Sequence, residues 1–351
     1  MSSSLTARRH LLVLALAAAL TACGGNPAET AAPAAAAPKA ADAANASSPA
    51  ALPQGWLHLA GANVPSSTNL IPVLPVTVTS DDGEQVTVKD ASRIVAGGDD
   101  VIAVIEALGL GGQVYAAPLR SATEAGRKVP KQFLFNRTTG VEGVLSLEGT
   151  LFLGNSLRRH TELAKKLRGA GEAAVVIDDL QPAPDKVRKV AAALGVAEAG
   201  NALAAQVQAQ LEEAAAIAAS SKVHPRVIHL SATGAGGAPT VAGADSASGK
   251  LIGLAGGVNI GTEAGVANYS ALSNEGVVAA APEVILVTEN DLQLFGGEAG
   301  LWKAYPTLKQ TPAGAANRVW VMPDVQLKAA SVGSGSGAVA LAKALAALPS
   351  P

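Results

Sequence analysis

The sequence predicts an α/β protein made of two Rossmann-like lobes with mostly parallel sheets, joined by one long α-helix. Three observations predict it. Short aliphatic runs alternate with helical patterns in two separate stretches, and the runs are continuously apolar, as expected where helices cover both faces of a parallel sheet. Between the stretches, Glu198 to Ser221 reads as 24 residues of strong helix formers without an interior proline. At about 1.5 Å per residue such a helix reaches about 36 Å, further than one lobe needs internally. Finally, a unit is written twice: "VEGVLSLEGTLFL" from Val141 and "NEGVVAAAPEVILV" from Asn274 each open on Glu-Gly-Val, continue as a short helix and end as a strand.

The first 23 residues read as an export signal. Arg8 and Arg9 precede "LLVLALAAAL" (Leu11 to Leu20), an apolar run of signal-peptide length and too short to span a bilayer. It ends in "LTAC", which resembles a bacterial lipobox, and Cys23 is the only cysteine of the chain, so it has no internal disulfide partner. Cys23 is therefore the expected lipidation site. The arginine pair also fits a loose twin-arginine pattern, which leaves the export route open. Residues 24–55 are rich in Ala and Pro with no hydrophobic period and read as a tether, its ends about 30 Å apart if it behaves as a flexible coil.

Residues 56–90 form a lead-in with a hairpin, since Asp81-Asp82-Gly83 separates two alternating β-branched runs. The first lobe, 91–196, starts with the strand "RIVAGG", followed by a helix that Asp99 or Asp100 can cap and that Gly109 ends. The strands "QVYAAP", "TLFLG" and "AAVVID" follow, with helices over "RRHTELAKKLRGAG" and "DKVRKVAAALGV". After the connecting helix, 197–221, the second lobe, 222–351, resumes the alternation with "RVIHLS", "TVAGA", the second Glu-Gly-Val unit, "RVWVMP" and a last helix "GSGAVALAKALAAL".

Of 351 residues, 49% are hydrophobic and 15% charged, enough for substantial cores. The formal net charge of −2 provides no basic field for a polyanion, so nucleic acid is excluded as a partner. No HExxH, cysteine pair, GxSxG or Walker loop occurs, and no nucleophile and base are nominated together, so no enzyme activity is assigned. The glycine-rich "TGAGG" (Thr233 to Gly237) and "GSGSG" (Gly333 to Gly337) read as turns. Aromatic residues make up only 3%, so a pocket here has few rings with which to hold a flat ligand.

The lipobox at Cys23, "LPVTVTSDDGEQVTVKDASRIV", "VIEALGLGGQVYA", "NRTTGVEGVLSL", "GLAGGVNIGTEAG", "SNEGVVAAAPEVILV" and "LKQTPAGAANRVWVMPD" occur in an order and spacing that span about Leu74 to Leu348. Together they resemble the solute-binding proteins of ATP-driven importers, in the class with a single long helix between α/β lobes that handles cobalamin, ferric siderophores and heme. Within that class the resemblance is to the heme-binding lipoproteins of bacterial heme importers. It implies heme capture between the lobes, delivery to an ABC permease and its ATPase, export and attachment to the cell membrane surface, on its periplasmic or extracellular face, through a lipid anchor, and a monomer with no tightly bound cofactor.

In that class a glutamate at the start of one short helix per lobe pairs with permease arginines, and the matching positions are Glu142 and Glu275. A carboxylate in the first turn of a helix is favoured by the helix dipole, so it can stay ionised and exposed. Tyrosine or histidine ligates iron in the heme-binding members, and here the chain departs: Ser231 and Thr233 fall where a tyrosine and an arginine are expected, and Asn136 or Arg137 where a histidine is. The remaining candidates are His160, near a strand's C-terminal end, Tyr269, which matches a tyrosine lining the cleft, and Arg137 for carboxylate pairing. No metal site is assigned. A different iron chelate or a corrinoid, complete in its own coordination, is the alternative ligand.

Overall fold

The computed structural model describes residues 52–134, 140–232, 234 and 238–349. Three strands precede the first large sheet: β1 (Leu57–His58), β2 (Val76–Thr79) and β3 (Gln85–Val88). β2 and β3 form the antiparallel hairpin expected from the turn residues, with Thr79 opposite Gln85 and Gly83 at φ +92°. β1 does something the sequence does not announce. It pairs in parallel with a strand near the far end of the chain, and the Trp56 indole beside it donates to Asn317 Oδ1 at 3.1 Å. The lead-in thus starts in the second lobe and crosses to the first, where the Val73 N–H donates to the Gly195 carbonyl at 3.0 Å.

The first lobe holds β4 (Ile94–Ala96), β5 (Val114–Pro118), β6 (Lys131–Phe133), β7 (Leu151–Gly154) and β8 (Ala173–Val176), all parallel in the order β6-β5-β4-β7-β8. Every residue of β4 and β7 is buried, which accounts for their unbroken apolar runs. Helices Asp99–Ala107 and Ala183–Ala193 bury Ile102, Ile105, Val187 and Val190 on one side of this sheet, and Leu157–Gly169 buries Leu163 and Leu167 on the other.

The second lobe holds β9 (Arg226–Ser231), β10 (Thr240–Ala242), β11 (Val258–Asn259), β12 (Tyr269–Ser270), β13 (Val284–Thr288) and β14 (Val319–Met322). With β1 they make a seven-stranded mixed sheet in the order β1-β14-β13-β9-β10-β12, β11 pairing with β9. β1, β14, β13 and β9 run parallel, while β10 is antiparallel to both β9 and β12.

The connecting helix is Ala197–Ser220, 24 residues long. Its buried stripe of Gly200, Leu203, Ala204, Val207, Ala214 and Ala218 packs on helix Ala183–Ala193 of the first lobe and on the last helix, Ser334–Ala346. The "GSGSG" run is not a free turn. Gly333 caps that last helix and the next four residues are its buried first turn. A Cβ on Gly335 would lie 2.9 Å from the Val207 carbonyl oxygen, so the absence of a side chain lets the two helices touch.

Candidate functional site

Both sheets point strand C-terminal ends at one cleft, the edge where open α/β sheets place ligands. The cavity has a volume of about 320 Å³, at the lower end of the range for small-molecule pockets. The first lobe lines it with Asp99, Asp100, Asn155, Asp179, Leu180, Gln181 and Lys186. The second contributes residues of the Asp245–Lys250 turn and helix, Asn268, Tyr269, Asn290, Asp324 and the run Lys328 to Ala330. Two bonds cross between the walls: Lys250 Nζ donates to the Leu180 carbonyl at 3.3 Å, and Ser331 Oγ to the Asp100 carbonyl at 2.7 Å.

The first-lobe wall is a closed ionic cluster. Asp99 and Asp100 sit in the first turn of helix Asp99–Ala107, but Gly98 is its N-cap and neither carboxylate caps it. Asp100 instead accepts from Lys186 Nζ at 2.5 Å and from Asn155 Nδ2 at 2.7 Å, and both charged groups are buried. Asp99 accepts from Ser121 Oγ and from the Ala122 N–H, and burial pushes its carboxyl above the usual range.

The second-lobe wall is a more extended network. Asp291, fully buried in the first turn of helix Glu289–Phe295, accepts from Ser231 Oγ and the Ala232 N–H, both at 3.0 Å, and from Lys328 Nζ at 2.7 Å. Burial works to raise Asp291, but the Lys328 ammonium and these hydrogen bonds outweigh it and hold the carboxyl below its usual value. The Thr288 hydroxyl stands between two carboxylates, 2.9 Å from Asp291 Oδ2 and 2.8 Å from Asp324 Oδ1. Burial pushes Asp324 up. His229, wholly buried on β9, meets Ser248 Oγ through Nδ1 at 2.8 Å, and Ser248 Oγ lies 3.0 Å from the Tyr269 hydroxyl. Its Nε2, 3.9 Å from Asp291 Oδ2, has no hydrogen-bond partner among the described residues. Burial lowers the imidazole to about 3 and raises the Tyr269 phenol to about 12, so at neutral pH both are uncharged.

The residues nominated from sequence are distributed unevenly. Tyr269 is in the cleft, its ring 6.2 Å edge-on from His229 and 5.9 Å from Lys328 Nζ. His160 is one bond away from it. Its imidazole is 1% exposed, packs edge-on against Phe152 at 5.6 Å and accepts the Asn155 N–H at Nδ1, 3.0 Å. Expected near a strand's C-terminal end as a candidate ligand, His160 lies inside the first lobe, where Gly97 and Gly154 leave room for the ring against the strand ends. Burial lowers it to about 4. Arg137 and Cys23 lie outside the described residues. Ser231, at the expected tyrosine position, is fully buried in the Asp291 cluster.

Glu142 and Glu275 are exposed in the first turns of Val141–Leu145 and Asn274–Ala280, and the units they open lead into β7 and β13. Residues beyond those strands, Asn155 and Asn290, line the cleft on opposite sides. Sequence reasoning overlooked Asp100, Lys186, Asp291 and Lys328, whose partners lie 86 and 37 residues apart with no local pattern to join them. Among the described residues no group of three or more His, Cys, Asp or Glu side chains is placed to hold a metal ion.

Two α/β lobes, a helical connector and a polar cleft at facing strand ends define a two-lobed ligand-binding protein. The family model described as periplasmic binding protein matches residues 94–325, and the chain belongs to that family. Among solved structures, the periplasmic heme-binding protein RhuT from Roseiflexus sp. RS-1 in apo form is 33% identical, with a TM-score of 0.65 over 73% of this chain and 98% of its own. The heme binding protein HmuT is 28% identical, with a TM-score of 0.69 over 83% of this chain and 96% of its own. The periplasmic heme-binding protein HutB of Vibrio cholerae is 26% identical, with a TM-score of 0.56 over 73% and 98%. A comparison with curated protein sequences yields no match.

Proposed function

We propose that this protein is the substrate-binding component of an ABC importer, which takes heme into the interlobe cleft and hands it to a membrane permease. The observation that carries the reading is the cleft itself. It opens at the strand ends of both lobes, with the half-buried Tyr269 in its wall, on a fold shared with heme-binding proteins, one of them 33% identical. Tyr269 is the one aromatic side chain among the lining residues, and it is proposed to stack on the porphyrin or hydrogen-bond to it. Arg137 is proposed to pair with a propionate. His160 supports the cleft through Asn155.

Export, lipidation at Cys23 and tethering at the membrane surface belong to the same proposal, as does docking through Glu142 and Glu275. Two exposed carboxylates at helix starts, one per lobe, suit register and encounter with a two-fold permease more than raw affinity. The test is a titration of purified protein with hemin, read by absorbance. A bound-heme band that Tyr269→Phe shifts is expected. A spectrum identical to free hemin at equimolar protein overturns the reading and brings forward another iron chelate or a corrinoid, detectable by thermal shift.

A further inference from the structure

Three lysines line the cleft, and the structure separates them. Lys186 is 1% exposed and locked on Asp100. Lys250 is exposed and donates to the Leu180 carbonyl across the mouth. Lys328 is neither sealed nor at the mouth: its side chain is 18% exposed, and its ammonium is held in place from behind by Asp291 Oδ2 at 2.7 Å and Ser231 Oγ at 3.0 Å. An ammonium carries three donor hydrogens. These two contacts take two of them, and Asp291, which also accepts from Ser231 and Ala232, is not among the residues that line the cleft. The Tyr269 ring, 5.9 Å from Nζ, flanks the ammonium.

We infer that Lys328 is the anion-anchoring residue of the cleft, donating its remaining hydrogen to a carboxylate of the bound ligand while Asp291 and Ser231 position its ammonium. This rests on the heme reading above, in which the ligand carries two propionates. Among the described residues Lys328 pairs with Asp291, while Asp324 accepts from the Asn290 N–H and the Thr288 hydroxyl. A carboxylate beside Lys328 would also stand next to the Tyr269 ring, so one subsite would hold the ligand's acidic edge and its flat face together. The neighbouring Ala330, also in the lining, holds a left-handed φ of +41°, a conformation that costs a non-glycine residue energy.

The experiment compares hemin with hemin dimethyl ester, whose propionates cannot carry charge, by titration of the full-length wild-type protein, Lys328→Gln and Lys328→Arg. The wild type is expected to bind the free acid about tenfold tighter than the ester. Lys328→Gln should bring that ratio close to one, and Lys328→Arg should retain most of it. If Lys328→Gln does not fold because Asp291 is left uncompensated, the double variant Lys328→Gln/Asp291→Asn removes both charges and should likewise show a ratio near one. Equal affinity of the wild type for the two porphyrins, or an undiminished ratio in the glutamine variants, overturns the inference and leaves heme binding intact. Binding of neither porphyrin by the wild type overturns the heme reading, and the inference falls with it.

Discussion

The two walls of the cleft are built from the same kinds of residue and differ in how each holds its lysine–aspartate pair. In the first lobe, Lys186, Asp100 and Asn155 bond one another in a buried cluster. In the second, Lys328 reaches the cleft, Thr288 faces two carboxylates with one hydroxyl hydrogen, and His229 Nε2 lacks a hydrogen-bond partner among the described residues. A polar group whose bonds are complete inside its own lobe contributes shape and rigidity. One with donors to spare is where a ligand can complete the set. The contrast assigns support to Lys186, 1% exposed, and recognition to Lys328, 18% exposed.

The largest expected effect breaks the first wall. Lys186→Ala strands the buried Asp100 carboxylate and should cost about 3–5 kcal/mol in urea unfolding, whereas Lys328→Ala, whose partner keeps the Ser231 hydroxyl and the Ala232 N–H as donors, should cost about 1–2 kcal/mol. Equal losses would erase the distinction between the walls.

Acid tests both lobes through their buried histidines. His160 and His229 titrate in the folded state at about 4 and about 3, below the ordinary value of 6.5, so the native protein binds fewer protons than the unfolded chain. Stability is therefore complete above about pH 6.5 and falls with acidification, each histidine contributing up to about 1.4 kcal/mol per pH unit until its folded value is reached. Thermal melts between pH 7 and 5 should show a loss of roughly 2 kcal/mol per histidine at pH 5, and His160→Gln or His229→Gln should each flatten the slope. A slope unchanged in both variants contradicts the neutral buried state of the two rings.

A smaller effect isolates the cleft tyrosine. Tyr269→Phe removes the hydroxyl from Ser248 and should lower stability by about 1 kcal/mol, with a larger consequence for hemin absorbance than for the melt. The smallest compares the two Glu-Gly-Val units. In the second, the Ser273 hydroxyl accepts from the Gly276 N–H at 3.0 Å, while Gly140 caps the first without a side-chain bond. Ser273→Ala should cost somewhat under 1 kcal/mol, and Gly140→Ser should stabilise by a few tenths of that, each read by chemical denaturation.

Much of the fold was legible along the chain. The hairpin around Gly83, the strands β4, β7, β8, β9, β13 and β14, and the 24-residue connector all follow from local period and punctuation. The site was legible only in part. Tyr269 lines the cleft, while His160, with an ordinary helical surface pattern around it, is buried. Lys328 sits in "VQLKAASVG", where no local pattern marks its partner, and "GSGSG" has the composition of a turn although it starts a packed helix.

What the sequence determined by itself was which segments bury one face and which bury two, because hydrophobic period records burial residue by residue. It also determined the duplicated unit that places Glu142 and Glu275 at matching helix starts. Only the tertiary structure decided that β1 leaves the lead-in to join β14, that Asp100 meets Lys186, and that Asp291 meets Lys328. Those pairings depend on strand order and on helices crossing close enough to touch, and a charge separated from its partner by tens of residues carries no mark of which partner it will find.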